Sequence, residues 1–259
     1  MATALITGAS SGIGYELAGL FAADKINLVL VARREDKLST LAADLQRRHG
    51  IRANCLAMDL SDSDNCKAVV DWCGAGKIDI DYLVNNAGFG DFGFFIDSQW
   101  KKQLDMINVN ITSLTYLTRL LLPGMVNRKF GRVLNLASTA AFQPGPTMSV
   151  YYATKAYVLH FSEAIGNELA KSGVTVTALC PGATESEFQD VANLHESKMI
   201  KGRKLPTSLS VAKFGYKAMN QGKAVAIPGI GNYLLANIVR FTPRSMVVKV
   251  ARYIQDKRK

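Results

Sequence analysis

Residues 3–14 read Thr-Ala-Leu-Ile-Thr-Gly-Ala-Ser-Ser-Gly-Ile-Gly, an apolar run closed by a cluster of glycines. The run from Thr3 to Thr7 is short and rich in strand formers. A helical pattern, Gly12 to Ala23, follows at once, so the stretch reads as a strand feeding a helix. Gly8, Gly12 and Gly14, with Ser10, Ser11 and Ile13 between them, suit a turn whose backbone comes close to a pyrophosphate. The phosphate charge would then rest at a helix N-terminus. The spacing Gly-x-x-x-Gly-x-Gly is one residue longer than the common Gly-x-Gly-x-x-Gly fingerprint, and an ordinary turn also accommodates it.

Outward from this unit the same alternation continues to about residue 228. Strand-like runs fall at Ala2–Thr7, Asn27–Ala32, Ala53–Met58, Tyr82–Asn86, Arg132–Ala137, Thr175–Cys180 and Ala224–Ile227. Helical stretches fall between them, at Gly12–Ala23, Arg34–Gly50, Ser63–Cys73, Lys101–Asn127, Tyr151–Ser172 and Thr207–Gln221. Alternation of this kind predicts an α/β fold, a parallel sheet with right-handed crossovers and helices on both faces. Residues 1–228 form one expected domain, because no linker or repeat divides them. Residues 229–259 form an extension.

Strand ends in such a sheet face a common crevice, so the residues there are candidates for function. The second strand ends Ala32-Arg33-Arg34, where an acid is expected if a ribose 2′-hydroxyl is to be bound. Two guanidinium groups instead suit a 2′-phosphate; two exposed first-turn arginines are the plainer alternative. Asp59, before Leu60, could bind an adenine amino group or cap a helix. Asn85-Asn86-Ala87-Gly88 suits contacts near the adenosine ribose, and equally a turn. Phe89 to Phe95, aromatic and punctuated by glycine, is either one wall of an apolar pocket or packing beneath a loop. Asn110, a poor helix former inside a helical stretch, could hold a water and relay a proton, or be solvated.

Ser138 closes the buried-strand pattern Val133–Ala137, and Tyr151 and Lys155 stand four apart on the next helix. That spacing puts their Cβ atoms about 5–6 Å apart on one face. An ammonium at that range favours the phenolate and lowers the phenol's pKa. A serine, a tyrosine and a lysine so arranged could do acid/base work on a carbonyl or an alcohol. A packed aromatic beside a solvated lysine is the alternative.

Taken together, Thr7–Gly14, Asn85–Gly88, Asn110, Ser138, Tyr151, Lys155 and Pro181-Gly182, in this order, resemble the short-chain dehydrogenase/reductase family over roughly residues 1–190 and 205–228. The resemblance implies a single Rossmann-like, doubly wound domain with a seven-stranded parallel sheet and NAD(P) along its carboxyl edge. It implies Tyr151 as proton donor or acceptor, Ser138 as orienter of the substrate oxygen, and Asn110 as holder of a relay water. Lys155 would lower the tyrosine pKa and bind the nicotinamide ribose. Gly8, Ser10, Ile13, Asn86 and Thr184 fall where the family touches cofactor, and Ala32-Arg33-Arg34 resembles NADP(H)-preferring members. Ser186 replaces the usual threonine near Thr184. Tyr152 reads as packing. The expected activity is hydride transfer between nicotinamide and the carbonyl or alcohol carbon of an apolar substrate. A nucleotide-sensing protein without catalysis is the alternative, and the Asn110, Ser138, Tyr151 and Lys155 set speaks against it. Substrate choice is expected at Phe89–Phe95, at Phe142–Pro146 and in a lid over 185–206 that holds His195.

With 259 residues and 48% hydrophobic content, the chain can bury a large core, which excludes disorder. No apolar run approaches a membrane span and no leader pattern is visible, so a cytoplasmic protein is expected. Four cysteines without metal spacing read as free thiols. Charge is uneven. Residues 198–259 hold 14 Lys and Arg against Asp256 alone, +13, while the remainder carries −3. After Thr242-Pro243, the residues Met246, Val247, Val250, Ala251 and Ile254 fall on one helical face, opposite Lys249, Arg252 and Lys257. Such a basic amphipathic helix fits packing in a homo-oligomer, an anionic membrane surface or an acidic partner. Nucleic acid is not expected, because no binding motif accompanies the charge.

Overall fold

The structure, a computed structural model, describes residues 1–192 and 204–255. Seven strands form one sheet: β1 (Thr3–Thr7), β2 (Asn27–Ala32), β3 (Ala53–Ala57), β4 (Tyr82–Asn85), β5 (Gly131–Leu136), β6 (Val174–Leu179) and β7 (Val225–Ala226). Their order is β3-β2-β1-β4-β5-β6-β7 and every pairing is parallel. Parallel neighbours need long crossovers, which the helices supply. These are α1 (Gly12–Ala23), α2 (Glu35–His49), α3 (Ser63–Ala75), α4 (Trp100–Ile107), α5 (Leu114–Asn127), α6 (Ser149–Glu168), α7 (Phe188–Val191) and α8 (Ser208–Asn220). Two more, α9 (Ile230–Ile238) and α10 (Arg244–Gln255), follow the last strand.

Both faces of the sheet are covered, which explains why its strands are apolar throughout rather than alternating. Ala4 and Ile6 of β1, with Leu28 and Leu30 of β2, join α1, α2 and α8 in one core. Leu5, Val29 and Val31 point the other way, onto α3 and α5. Strand order reverses between β1 and β4, and there the carboxyl edge opens into a crevice.

The expected elements agree with these to within a few residues, with exceptions that matter for the site. The helix expected over Lys101–Asn127 is broken by a π-helical turn at Asn108–Ser113. The helix expected over Tyr151–Ser172 stops at Glu168, and the last strand has only two residues. The apolar segment after Tyr233, given no element from sequence, is helical.

Candidate active site

The glycine loop is shaped by contacts as much as by its own flexibility. Gly8 and Gly12 have φ of +65° and +59°, where a side chain is strained. A Cβ on Gly14 would sit 2.4 Å from Asn86 Nδ2 and 2.5 Å from the Gly8 carbonyl, so only glycine lets α1 start this close to the loop. Asn86 explains itself here: its Nδ2 donates to the carbonyls of Thr7 and Gly8 at 3.0 and 3.1 Å, tying β4 to the loop. Thr7 Oγ1 accepts from the amides of Asn86 and Ala87. The Ser11 side chain at the N-cap of α1 accepts no bond from the helix amides, which suits them to an anion.

At the end of β2, Arg34 reaches back over this loop. Its Nη2 donates to Ser10 Oγ and Ser11 Oγ, both at 2.9 Å, and its Nη1 pairs with Glu187 at 2.7 Å. Lys37, on the first turn of α2, binds the other Glu187 oxygen at 2.9 Å. Lys37, then Arg34, hold that carboxyl down to about 2. Arg33 lines the same cavity and helps keep Asp59 below its ordinary pKa. Burial pulls the Asp59 carboxyl up but is outweighed, chiefly by hydrogen bonds from Ser61, whose amide donates at 2.9 Å. Asp59 thus forms a local turn and also lines the cavity, with Leu60 beside it.

The cavity encloses about 1010 Å³. Gly8, Ser10, Ser11, Gly12, Ile13, Arg33, Arg34, Asp59, Leu60, Asn86, Ala87, Gly88, Pro181, Gly182 and Thr184 line it, together with Ser138, Tyr151 and Lys155. Gly14 lies just behind, as the packing glycine. Among the described residues the donor set therefore fits a dinucleotide: a glycine-loop cradle, a helix start with no cap from Ser11, and two guanidinium groups on the same cavity wall.

The Tyr151 phenol lies beside the Ser138 hydroxyl, which donates to the Pro181 carbonyl at 3.4 Å and accepts from the Ala140 amide at 3.1 Å. Burial pushes the phenol above its ordinary value, and the serine draws it down only in part. This differs from the expectation that Lys155 lowers it. The ammonium lies 5.8 Å from the Tyr151 ring centre and donates to the Leu136 carbonyl at 2.6 Å. Its own pKa is lowered to about 8 by burial.

Asn110 sits in the π-turn, a distortion that often marks functional sites. Its Oδ1 accepts from the Phe89 amide at 3.1 Å, and its Nδ2 donates to the Phe89 carbonyl and to Thr154 Oγ1, each at 3.0 Å. The carboxamide is neither solvated nor free; one Oδ1 lone pair is all that is left for a water. Asn110 braces Phe89 against α6.

Of the expected substrate residues, Phe89 lines the cavity and Phe142 does not. Phe142 packs against the cluster of Leu114, Ala137, Val158 and Leu159, because the turn after Ser138 directs it under α6. Phe94 and Phe95 point outward and are exposed. The expected lid is described only in part: residues 193–203, His195 among them, lie outside the described residues. Its first portion brings in Phe188, whose ring lies 5.4 Å from that of Tyr151.

The extension was missed as part of the site. Leu235, Ile238, Val247, Val250, Ala251 and Ile254 of α9 and α10 all line the cavity. Of the expected apolar face, Val247 and Ala251 are buried while Met246 and Val250 are exposed, so the packed strip is rotated from the predicted one. Tyr152, read as packing, is buried beside Gln255 of α10, whose Oε1 accepts from Thr147 Oγ1 at 3.3 Å. A repeating apolar spacing marks the helix but not which residue meets the body of the protein.

The family model of the short chain dehydrogenases matches residues 2–197. The chain belongs to this family. Over 95% of both chains it matches the structure of a short-chain dehydrogenase from Sphingobium yanoikuyae in complex with NADPH, with a TM-score of 0.84 and 31% identity. It is 27% identical, with a TM-score of 0.79 over 93% of this chain and 92% of the other, to a bulky-bulky ketone specific alcohol dehydrogenase from Comamonas testosteroni. A very-long-chain 3-oxoacyl-CoA reductase from Phaeosphaeria nodorum is 40% identical over 182 residues, 67% of this chain and 52% of that protein. The chain spans between half and 60% of the length of the first curated relatives it matches. Short-chain dehydrogenases are oxidoreductases that use a nicotinamide cofactor on small-molecule alcohols and ketones.

Proposed function

We propose that this short-chain dehydrogenase is an NADP(H)-dependent reductase of a bulky, apolar carbonyl compound, or a dehydrogenase of the corresponding alcohol. The observation that carries this reading is one cavity shared by Ser138, Tyr151, buried Lys155, the glycine loop and the Arg34 cluster. Bound nicotinamide supplies or takes the hydride. Ser138 holds the substrate oxygen, and Tyr151 gives that oxygen a proton in reduction or takes one in oxidation. Lys155, carrying its charge below about pH 8, holds the nicotinamide ribose and supports the phenolate when the proton has left. Asn110 keeps Phe89 and α6 in register.

The preference for the phosphorylated cofactor rests on Ala32 standing where a carboxylate would otherwise meet the ribose, and on Arg33, Arg34 and Lys37 outnumbering Glu187. The apolar substrate rests on Phe89, Phe188 and the walls from α9 and α10. We take residues 1–228 as the catalytic unit, residues 185–206 as the substrate-side segment, and the extension as a wall of the cavity and a contact surface beyond it.

Following NADPH and NADH oxidation across aldehydes, bulky ketones and 3-oxoacyl thioesters tests the proposal. Turnover of bulky apolar substrates with NADPH is expected. Tight nucleotide binding with no turnover of any carbonyl class would favour a sensor.

A further inference from the structure

The apolar residues around the cavity mouth do not stop at its rim. Phe241, in the turn between α9 and α10, is 88% exposed, and Ile96 is 89% exposed. Leu234, Leu235 and Ile238 of α9 are each about 60% exposed, and Met246 and Val250 of α10 are more than half exposed. The loop carrying Ile96 adjoins α10, since the Arg252 guanidinium lies 4.8 Å from the centre of the Phe94 ring. Large apolar side chains offered to water in such numbers are unusual for a monomer, whose apolar patches rarely exceed a few hundred Å².

Charge identifies what covers them. Between residues 229 and 255 stand Arg240, Arg244, Lys249 and Arg252 and no acid, and the Phe94–Trp100 loop adds a single carboxylate, Asp97, so the surface stays basic. A two-fold dimer would press this surface onto its own copy, basic group toward basic group. An anionic bilayer instead offers hydrocarbon to the phenylalanine, leucine and isoleucine side chains and phosphate to the arginines. We infer that α9, α10 and the Phe94–Trp100 loop dock on an anionic lipid surface, with the cavity mouth turned toward it. Leu235, Ile238, Val250 and Ile254 belong to both surfaces, lining the cavity while staying partly exposed. An apolar substrate dissolved in the bilayer then enters between these side chains without crossing water. The docking surface stands whatever reaction the cavity performs.

Flotation of the full chain with vesicles, of phosphatidylcholine alone or mixed with phosphatidylglycerol, tests this without any substrate. The protein should float with the phosphatidylglycerol vesicles, less so as salt is raised. Arg240→Gln and Arg244→Gln should each lower partitioning about fivefold. Phe241→Glu together with Ile96→Glu, both at exposed positions outside the cavity, should abolish flotation while circular dichroism and thermal unfolding stay as in the parent. Absence of flotation overturns the inference, as does flotation that Phe241→Glu and Ile96→Glu leave unchanged. Light scattering that finds a dimer split by Phe241→Glu, without vesicle binding, overturns it too and gives the surface to a second copy.

Discussion

Lys155 shows how burial changes the meaning of a residue pair read from spacing. Its ammonium is sealed against the Leu136 carbonyl with a pKa near 8, against 10.5 for the unhindered amine. The unfolded chain therefore binds this proton more tightly than the folded one. The resulting penalty is fully present below about pH 8 and fades as pH rises toward 10.5. Lys155→Met lacks the penalty. Its stability relative to the parent should fall between pH 7.5 and 10.5, by on the order of 3 kcal/mol, in urea unfolding. A difference that does not change with pH contradicts the burial account. Arg34 makes a different prediction. Its fork spans Ser10, Ser11 and Glu187, and charge-assisted bonds of this kind contribute about 1.5–3 kcal/mol. Arg34→Ala should weaken NADPH binding roughly ten- to a hundredfold and leave NADH binding little changed. Equal losses for both cofactors in fluorescence titration would remove Arg34 from the phosphate site.

Elements decide which of these residues meet. The π-turn at Asn108–Ser113 turns the Asn110 carboxamide onto Phe89 and Thr154, three hydrogen bonds in a nearly inaccessible position. Asn110→Ala leaves the Phe89 backbone groups without these partners, and about 1–3 kcal/mol of stability should go with them. Thermal unfolding measures that loss, and an unshifted midpoint would show that the brace is idle. Periodicity at Lys101–Asn127 could not reveal the turn, because one inserted residue hardly disturbs a helical pattern. The tail helix was visible as amphipathic for the opposite reason, a strong contrast between its faces. Which strip packs depends on α6 and the cavity, and nothing local specifies it. Ala251→Glu would bring a charge into the buried strip. KM for bulky apolar substrates should then rise at least tenfold, with NADPH affinity retained. Unchanged KM would mean that α10 is no part of the substrate wall.

Over the whole molecule, what could be read beforehand is what chain-local chemistry determines. Thr3–Gly14 reads as strand, glycine turn and helix because each residue there answers to its neighbours, and seven apolar runs spaced by helices leave few parallel topologies. Contacts between distant segments could not be read. Arg34 and Glu187 pair across the cavity although they stand 153 positions apart in the chain, and Asn86, 79 positions from Thr7, braces the loop that follows the neighbouring strand β1. Phe142, expected with the rest of Phe142–Pro146 on the substrate side, packs instead against the cluster under α6. The same non-local packing brings Ser138, Tyr151 and Lys155 to one cavity with the glycine loop. The account's central claim is that the Tyr151 phenol exchanges the proton while hydride passes at the nicotinamide. Stopped-flow oxidation of NADPH by the parent and by Tyr151→Phe, with a reducible bulky ketone, measures this directly. The variant should bind NADPH as tightly and react about 10²–10⁴-fold more slowly, whereas an unchanged rate would contradict the assignment of Tyr151.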